Sequence, residues 1–159
     1  MNTYEFTITL AGVDLATEDL EDRIVAAGCD DALLCFCGET PYLEFERQAD
    51  NAETAIRTAL AELAEVGLQA ASIQEAGYVT VTGAAAMADI KKGTLDHYAK
   101  GRRGEGFPAP RYGLQTGTPL YWWPEVAEWL LSNDKAPATL AETAQAAVKL
   151  SPDHDRLCA

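Results

Sequence analysis

The stretch Val79–Leu131, VTVTGAAAMADIKKGTLDHYAKGRRGEGFPAPRYGLQTGTPLYWWPEVAEWLL, organises the rest of this chain. Its segment Thr82–Asp89, TGAAAMAD, predicts a short helix, because Ala has the best helix propensity and Thr82 can cap the N-terminus. The run Lys91–Lys100, KKGTLDHYAK, predicts a second helix after a break of only two or three residues. Two short helices joined this closely must cross at a steep angle, which is helix-turn-helix geometry. Leu95 and Tyr98, spaced i, i+3, can face inward. Lys91, Lys92, Thr94, His97 and Lys100 then project outward or from the helix start. Such side chains suit phosphates and base edges in a major groove.

The next thirty residues extend the pattern. Gly101-Arg102-Arg103-Gly104-Glu105-Gly106 is a positively charged, glycine-rich loop, and Phe107-Pro108-Ala109-Pro110 is held extended by its prolines. Arg111–Leu114, Gln115–Thr118 and Pro119–Trp122 read as strand, turn and strand, a candidate wing with Arg111 at its start. Trp123–Leu131 predicts a helix with Pro124 in its first turn. Val126, Trp129 and Leu130 fall at i, i+3, i+4 and should pack on the two earlier helices. Trp122, Trp123 and Trp129 are accordingly read as core rather than as stacking platforms for bases.

The segment GAAAMADIKKGTLDHYAKGRRGEGFPAP, followed by PLYWWPEVAEWL, resembles the excisionase-like and MerR-like winged helix-turn-helix domains of bacterial and phage regulators. The resemblance covers about a third of the chain. It implies that Lys91, Lys92, Thr94 and His97 belong to a recognition helix, and Arg102, Arg103 and Arg111 to a basic loop and wing. It further implies a sequence-specific reader of double-stranded DNA, a repressor or autoregulator acting as a homodimer. Gly93 departs from the pattern, because a longer polar residue is common at that point of the helix. Glycine there lowers helix propensity and leaves one fewer side chain for base contact.

The formal net charge of -13 looks unsuited to nucleic acid, but its distribution changes that inference. Residues 1–76 carry three basic against sixteen acidic side chains, whereas residues 77–131 carry six basic against five acidic. The basic residues of the second region cluster between Lys91 and Arg111, so binding should weaken steeply with salt as phosphate contacts release counterions. No stretch approaches the roughly 20 apolar residues of a membrane span. The opening MNTYEFTITL lacks the basic start and apolar run of a signal peptide, which makes the cytoplasm the expected location. Cys29, Cys35, Cys37 and Cys158 match no zinc or redox spacing. Cys35 and Cys37 alternate along an expected strand and are read as small core hydrophobes.

Ahead of this region, Tyr4–Leu10 alternates as a half-buried strand does. Thr17 can cap a helix that runs to Ala27, with Leu20, Ile24 and Ala27 inward. Asp31–Cys37 and Tyr42–Arg47 predict a hairpin turning at Gly38–Pro41. Asn51–Val66 predicts a second helix with the stripe Ala52, Ala55, Ile56, Ala59, Leu60 and Leu63. Leu68–Gln74 is a fourth strand. The order β-α-β-β-α-β fits a ferredoxin-like sandwich with both helices on one face. Such a domain is similar to the small acidic domain often found ahead of such winged helices.

The expected organisation is therefore α+β. It comprises an acidic ferredoxin-like domain over 1–76, a winged helix-turn-helix domain over 77–131, and a C-terminal helix and tail over 132–159. Glu75–Tyr78 is read as a very short linker, and Pro137–Leu150 as an amphipathic helix. The acids of the first domain could bind a cation or a basic partner, but a solvated face is the simpler reading. The histidines His97 and His154 stand far apart with no acid at a motif spacing, so no residue is assigned catalysis, a metal or a cofactor. The alternative function is an antitoxin-like or adaptor protein whose acidic domain binds a protein partner.

Overall fold

Alternation along Asn2–Ala11 (β1) puts Tyr4, Phe6, Ile8 and Leu10 on one face of a strand. In the computed structural model, which describes residues 1–101 and 104–152, all four are buried. Helix α1 (Leu20–Ala26), strand β2 (Ala32–Cys37), strand β3 (Thr40–Ala49), helix α2 (Ala52–Glu65) and strand β4 (Gln69–Ile73) come next. The strands form one sheet in the order β2-β3-β1-β4, and every neighbouring pair is antiparallel. Register sets Phe6 opposite Phe45 and Ile8 opposite Leu43, so the apolar rows coincide, and the two Phe rings stack at 4.9 Å. Helix α2 covers this face with Ala52, Ala55, Ile56, Ala59 and Leu63. Each fully buried Leu, Ile or Phe here contributes about 1.5–3 kcal/mol.

One charge lies inside this layer. Arg47 of β3 is 7% exposed and donates to both oxygens of Asp31, at 2.7 and 2.9 Å. It also reaches Glu62 Oε2 at 2.7 Å and Thr58 Oγ1 at 3.1 Å, both on α2. Its guanidinium lies 5.3 Å from the Phe45 ring centre. The hydrogen bonds to Asp31, which outweigh the cost of burial, push its pKa further up. A buried cation with its donors occupied fixes strand against helix.

Several local expectations are corrected. Thr17 caps no helix: α1 starts at Leu20 behind a left-handed Asp19. The Thr17 hydroxyl instead accepts from the Asp14 N–H at 2.9 Å, because the Asp14 side chain already organises that turn through Ala16 N–H. The β2-β3 turn tightens to Gly38 and Glu39, and Pro41 lies inside β3 opposite Phe36. Cys37 is exposed and Cys35 half-buried, not core. They share the uncovered face of the sheet with Leu33, opposite Thr40 and Tyr42. Among the described cysteines Cys29 is the buried one; burial, with Glu62 beside it, raises its pKa to about 11.

The chain divides into two compact units, Met1–Glu75 with the chain from Gln145 onward, and Ala76–Ala144. The residues expected as a linker are structured: Gln74–Ala76 is a 3-10 turn and Tyr78–Val79 is strand β5. Helix α3 (Val81–Ala88), helix α4 (Lys92–Ala99), strand β6 (Tyr121–Trp122), helix α5 (Trp123–Ser132) and helix α6 (Ala138–Leu150) complete the order. α6 belongs to the second unit as far as Ala144. The second unit's core joins Ala84, Ala85 and Ala88 of α3, Leu95 and Tyr98 of α4, and Trp123, Val126 and Leu130 of α5. Small residues on α3 let the helices approach closely, and the large aromatics fill the remaining space. No helix of the described residues is long and apolar enough to cross a membrane.

Candidate nucleic-acid interface

The two short helices are set by caps at both ends of α3. Thr80, not Thr82, accepts the Gly83 N–H on Oγ1 at 3.0 Å, because the helix begins earlier than composition suggests. At the other end Asp89 takes a left-handed conformation, φ 54, and the Ile90 N–H returns to Ala85 O at 3.0 Å. That closure satisfies a free carbonyl and leaves Ile90 packed on the core. The chain then re-enters a helix at Lys92, with three residues between α3 and α4.

Leu95 is fully buried and Tyr98 nearly so, which fixes the roll of α4. At 3.6 residues per turn Gly93, His97 and Lys100 lie roughly opposite Leu95. Lys91, Lys92, His97 and Lys100 are exposed, and Thr94 is half-buried. Lys91 stands at the N-cap, where its exposed side chain makes no cap bond. Lys100 pairs with Asp96 at 2.8 Å within the helix. Among the described residues, no ion pair engages Lys91, Lys92 or His97. An exposed i, i+4 pair such as Lys100–Asp96 contributes only about 0.3–0.5 kcal/mol, so a phosphate can compete for the lysine.

Arg102 and Arg103 lie outside the described residues. The loop beyond them is held by an aromatic cluster. Trp129 Nε1 donates to Glu105 O at 2.9 Å, and the Trp129 ring meets Tyr98 and Phe107, each at 5.1 Å between centres. Gly104 has φ +71, and a Cβ there would come within 3.0 Å of the Trp129 ring. Glycine is therefore required where the loop crosses the indole. Trp123 and Trp129 are core, whereas Trp122 is half-buried.

The expected hairpin from Arg111 to Trp122 is corrected. Its two arms meet at the bridge Tyr112–Leu120, where Arg111 N–H donates to Leu120 O and Leu120 N–H to Tyr112 O, each at 2.8 Å, and no longer ladder forms. β6 pairs instead with β5, Tyr78 opposite Trp122 and Val79 opposite Tyr121. Pro119 brings no amide hydrogen, and at Gly113, φ +75, the first arm lies so close to Thr118 O that a Cβ has no room. Arg111 pairs with Glu125 at 2.7 Å and lies 5.9 Å from the Trp122 ring centre. Beside it Tyr78 touches both Tyr112 and Trp122, each at 4.9 Å. Tyr78 and Tyr112 are 37% and 58% exposed, so this is an aromatic surface with a cation at its rim. Reading Tyr78 as part of a linker hides this surface, although an aromatic and a β-branched residue in succession, Tyr78-Val79, signal a strand.

The structure thus brings Lys91, Lys92, Thr94, His97 and Lys100 onto one short helix and its N-cap, and places Arg111 on a separate element beside α5. No group of three or more metal-ligating side chains is clustered to hold an ion among the described residues. No protein-family model, curated protein or solved structure matches this chain.

Proposed function

We propose that this chain is a sequence-specific double-stranded DNA-binding regulator, a repressor or autoregulator that binds as a homodimer. Its second unit is read as a winged helix-turn-helix and its first as a ferredoxin-like sandwich. The observation that carries the reading is α4: a short helix rolled by Leu95 and Tyr98 so that lysines and a histidine face solvent. It begins three residues beyond α3, as a recognition helix does. The element and strand order of the first unit, β2-β3-β1-β4 with antiparallel neighbours, supports the sandwich. The Tyr112–Leu120 bridge and the loop it closes are the part read as a wing. The acidic first unit repels phosphate, which limits non-specific association.

Duplexes selected from a randomised pool, followed by titration at two salt concentrations, test this. Wild type should hold a preferred duplex against random competitor. Replacing both Lys91 and Lys92 by Ala should reduce the salt slope by roughly two, about 0.9 for each phosphate no longer neutralised. Selection that yields no preferred sequence, or a double variant that binds as tightly with the same slope, refutes the assignment. The second reading, an adaptor whose acidic unit takes a protein partner, draws on the charge of residues 1–76, three basic against sixteen acidic.

A further inference from the structure

Among the described residues, the edge of the first unit's sheet formed by β2 lacks the usual protection. β2 is the outermost strand on its side and reads ALLCFC, with no charge, no proline and an unbroken register from Ala32–Phe45 to Cys37–Thr40. Edge strands ordinarily carry a charge, a proline or a bulge against unwanted pairing. Glu46 N–H donates to Asp31 O at 3.1 Å, so by alternation Leu33, Cys35 and Cys37 turn their backbone groups toward β3. Leu34 and Phe36 turn theirs outward. Leu33 is 62% and Phe36 38% exposed. A groove accompanies the strand on each face. The first, about 460 Å³, is lined by Asp30, Leu33, Glu44 and Glu46. The second, about 400 Å³, is lined by Leu15, Phe36, Asp19 and Asp22. Among the described residues, no ion pair engages Asp30, Glu44 or Glu46.

We propose that β2 is a docking strand for an extended, basic segment of a partner protein, which adds to the sheet as a fifth strand and sends adjacent Lys or Arg side chains to opposite faces, into the two acid-lined grooves. The main chain of that segment pairs with the outward groups of Leu34 and Phe36. Its long side chains lay their aliphatic stems on Leu33 and Phe36 and bring their charges to the carboxylates. A second copy of this chain fits poorly. Antiparallel self-pairing of β2 would bring together two copies of a region that carries sixteen acidic against three basic side chains. The inference is independent of the DNA reading.

The test uses the full chain and a short fluorescein-labelled peptide with adjacent basic residues, Val-Arg-Lys-Val-Arg-Lys-Val, which sends cations to both faces, with Val-Glu-Glu-Val-Glu-Glu-Val as its acidic counterpart. Fluorescence anisotropy should show the basic peptide binding at least roughly tenfold more tightly than the acidic one. Amide exchange followed by NMR should slow by roughly tenfold or more at Leu34 and Phe36 when the basic peptide is added. Leu33→Lys changes an exposed side chain and should weaken binding by roughly fivefold or more while the spectrum stays folded. Binding without slowed exchange at Leu34 and Phe36 is charge attraction alone and overturns the proposal. So does unchanged binding by Leu33→Lys. A free chain that sediments as a dimer with those two amides already slow places a second copy at the edge, which overturns it as well.

Discussion

The two units bury their apolar residues by different means. In the first, β1 and β3 supply rows of large side chains on one face, and α2 covers them with small and aliphatic residues. In the second the strands are two residues long, and the core is alanines of α3 packed against Trp123, Tyr98 and Trp129. Among the described residues, both buried charged side chains, Arg47 and Glu75, belong to the first unit. The first unit is thus most vulnerable in its electrostatics, and the second in close packing and turn geometry. Each should fail under a different kind of substitution.

The largest effect is expected at Arg47. Arg47→Met leaves Asp31, Glu62 and Thr58 without their shared donor and should destabilise the first unit by about 3–5 kcal/mol. Hydrogen exchange by mass spectrometry should show reduced protection over β3 while α4 keeps its own. Equal reduction in both would end the contrast. Glu75 comes next. Burial, opposed by the Thr7 N–H at 2.9 Å and aided by Glu5, raises its pKa from 4.5 to about 7. The folded state therefore holds a proton that the unfolded chain releases. This contribution is fully present below about pH 4.5 and is lost as pH rises through about 7, a change of about 3 kcal/mol. Denaturant titrations across that pH range should show the fall, and Glu75→Gln should flatten it. A wild-type curve with no such slope would mean the carboxyl is not desolvated.

In the second unit geometry should dominate. At Gly113 a Cβ would come within 1.9 Å of Thr118 O, on a backbone at φ +75. Gly113→Ala should cost about 2 kcal/mol and open the Tyr112–Leu120 bridge, seen as the disappearance of NMR cross-peaks between those residues. If the bridge survives, the loop is more adaptable than the packing indicates. The smallest effect separates two threonines. Thr80→Ala should cost about 1 kcal/mol by removing the cap on Gly83 N–H, and Thr82→Ala should cost close to nothing. Comparable melting shifts for both would return the cap to Thr82.

The strands and helices with strong periodicity are legible without the structure. Tyr4–Leu10 alternates, the apolar stripe of α2 is unbroken from Ala52 to Leu63, and Leu95 with Tyr98 marks the inner face of α4. These patterns are local, because one side chain's exposure depends on its neighbours along the same element. The site is legible to the same extent. Outward Lys91, Lys92, His97 and Lys100 are implied once the inward pair is known. The pairing of Lys100 with Asp96 is also readable as an i, i+4 spacing.

Chain order does not supply the choice among partners far apart in sequence. Tyr121-Trp122 could pair with Arg111–Leu114 or with Tyr78-Val79, and only the three-dimensional arrangement selects the latter. The same holds for Arg111 with Glu125, for the crossing of Gly104 over Trp129, and for Arg47 joining Asp31 to α2. It holds too for the fate of Cys35 and Cys37, since alternation puts them on one face but not on a covered one. By itself, then, the sequence determined the mixed α+β character, the acidic first region, the position of the short helices and the inward roll of α4. The tertiary structure alone decided which strand closes the second unit, which charges are already engaged, and which sheet face and edge stay open. Local periodicity encodes orientation, whereas pairing and coverage depend on contacts between segments whose separation in sequence carries no signal.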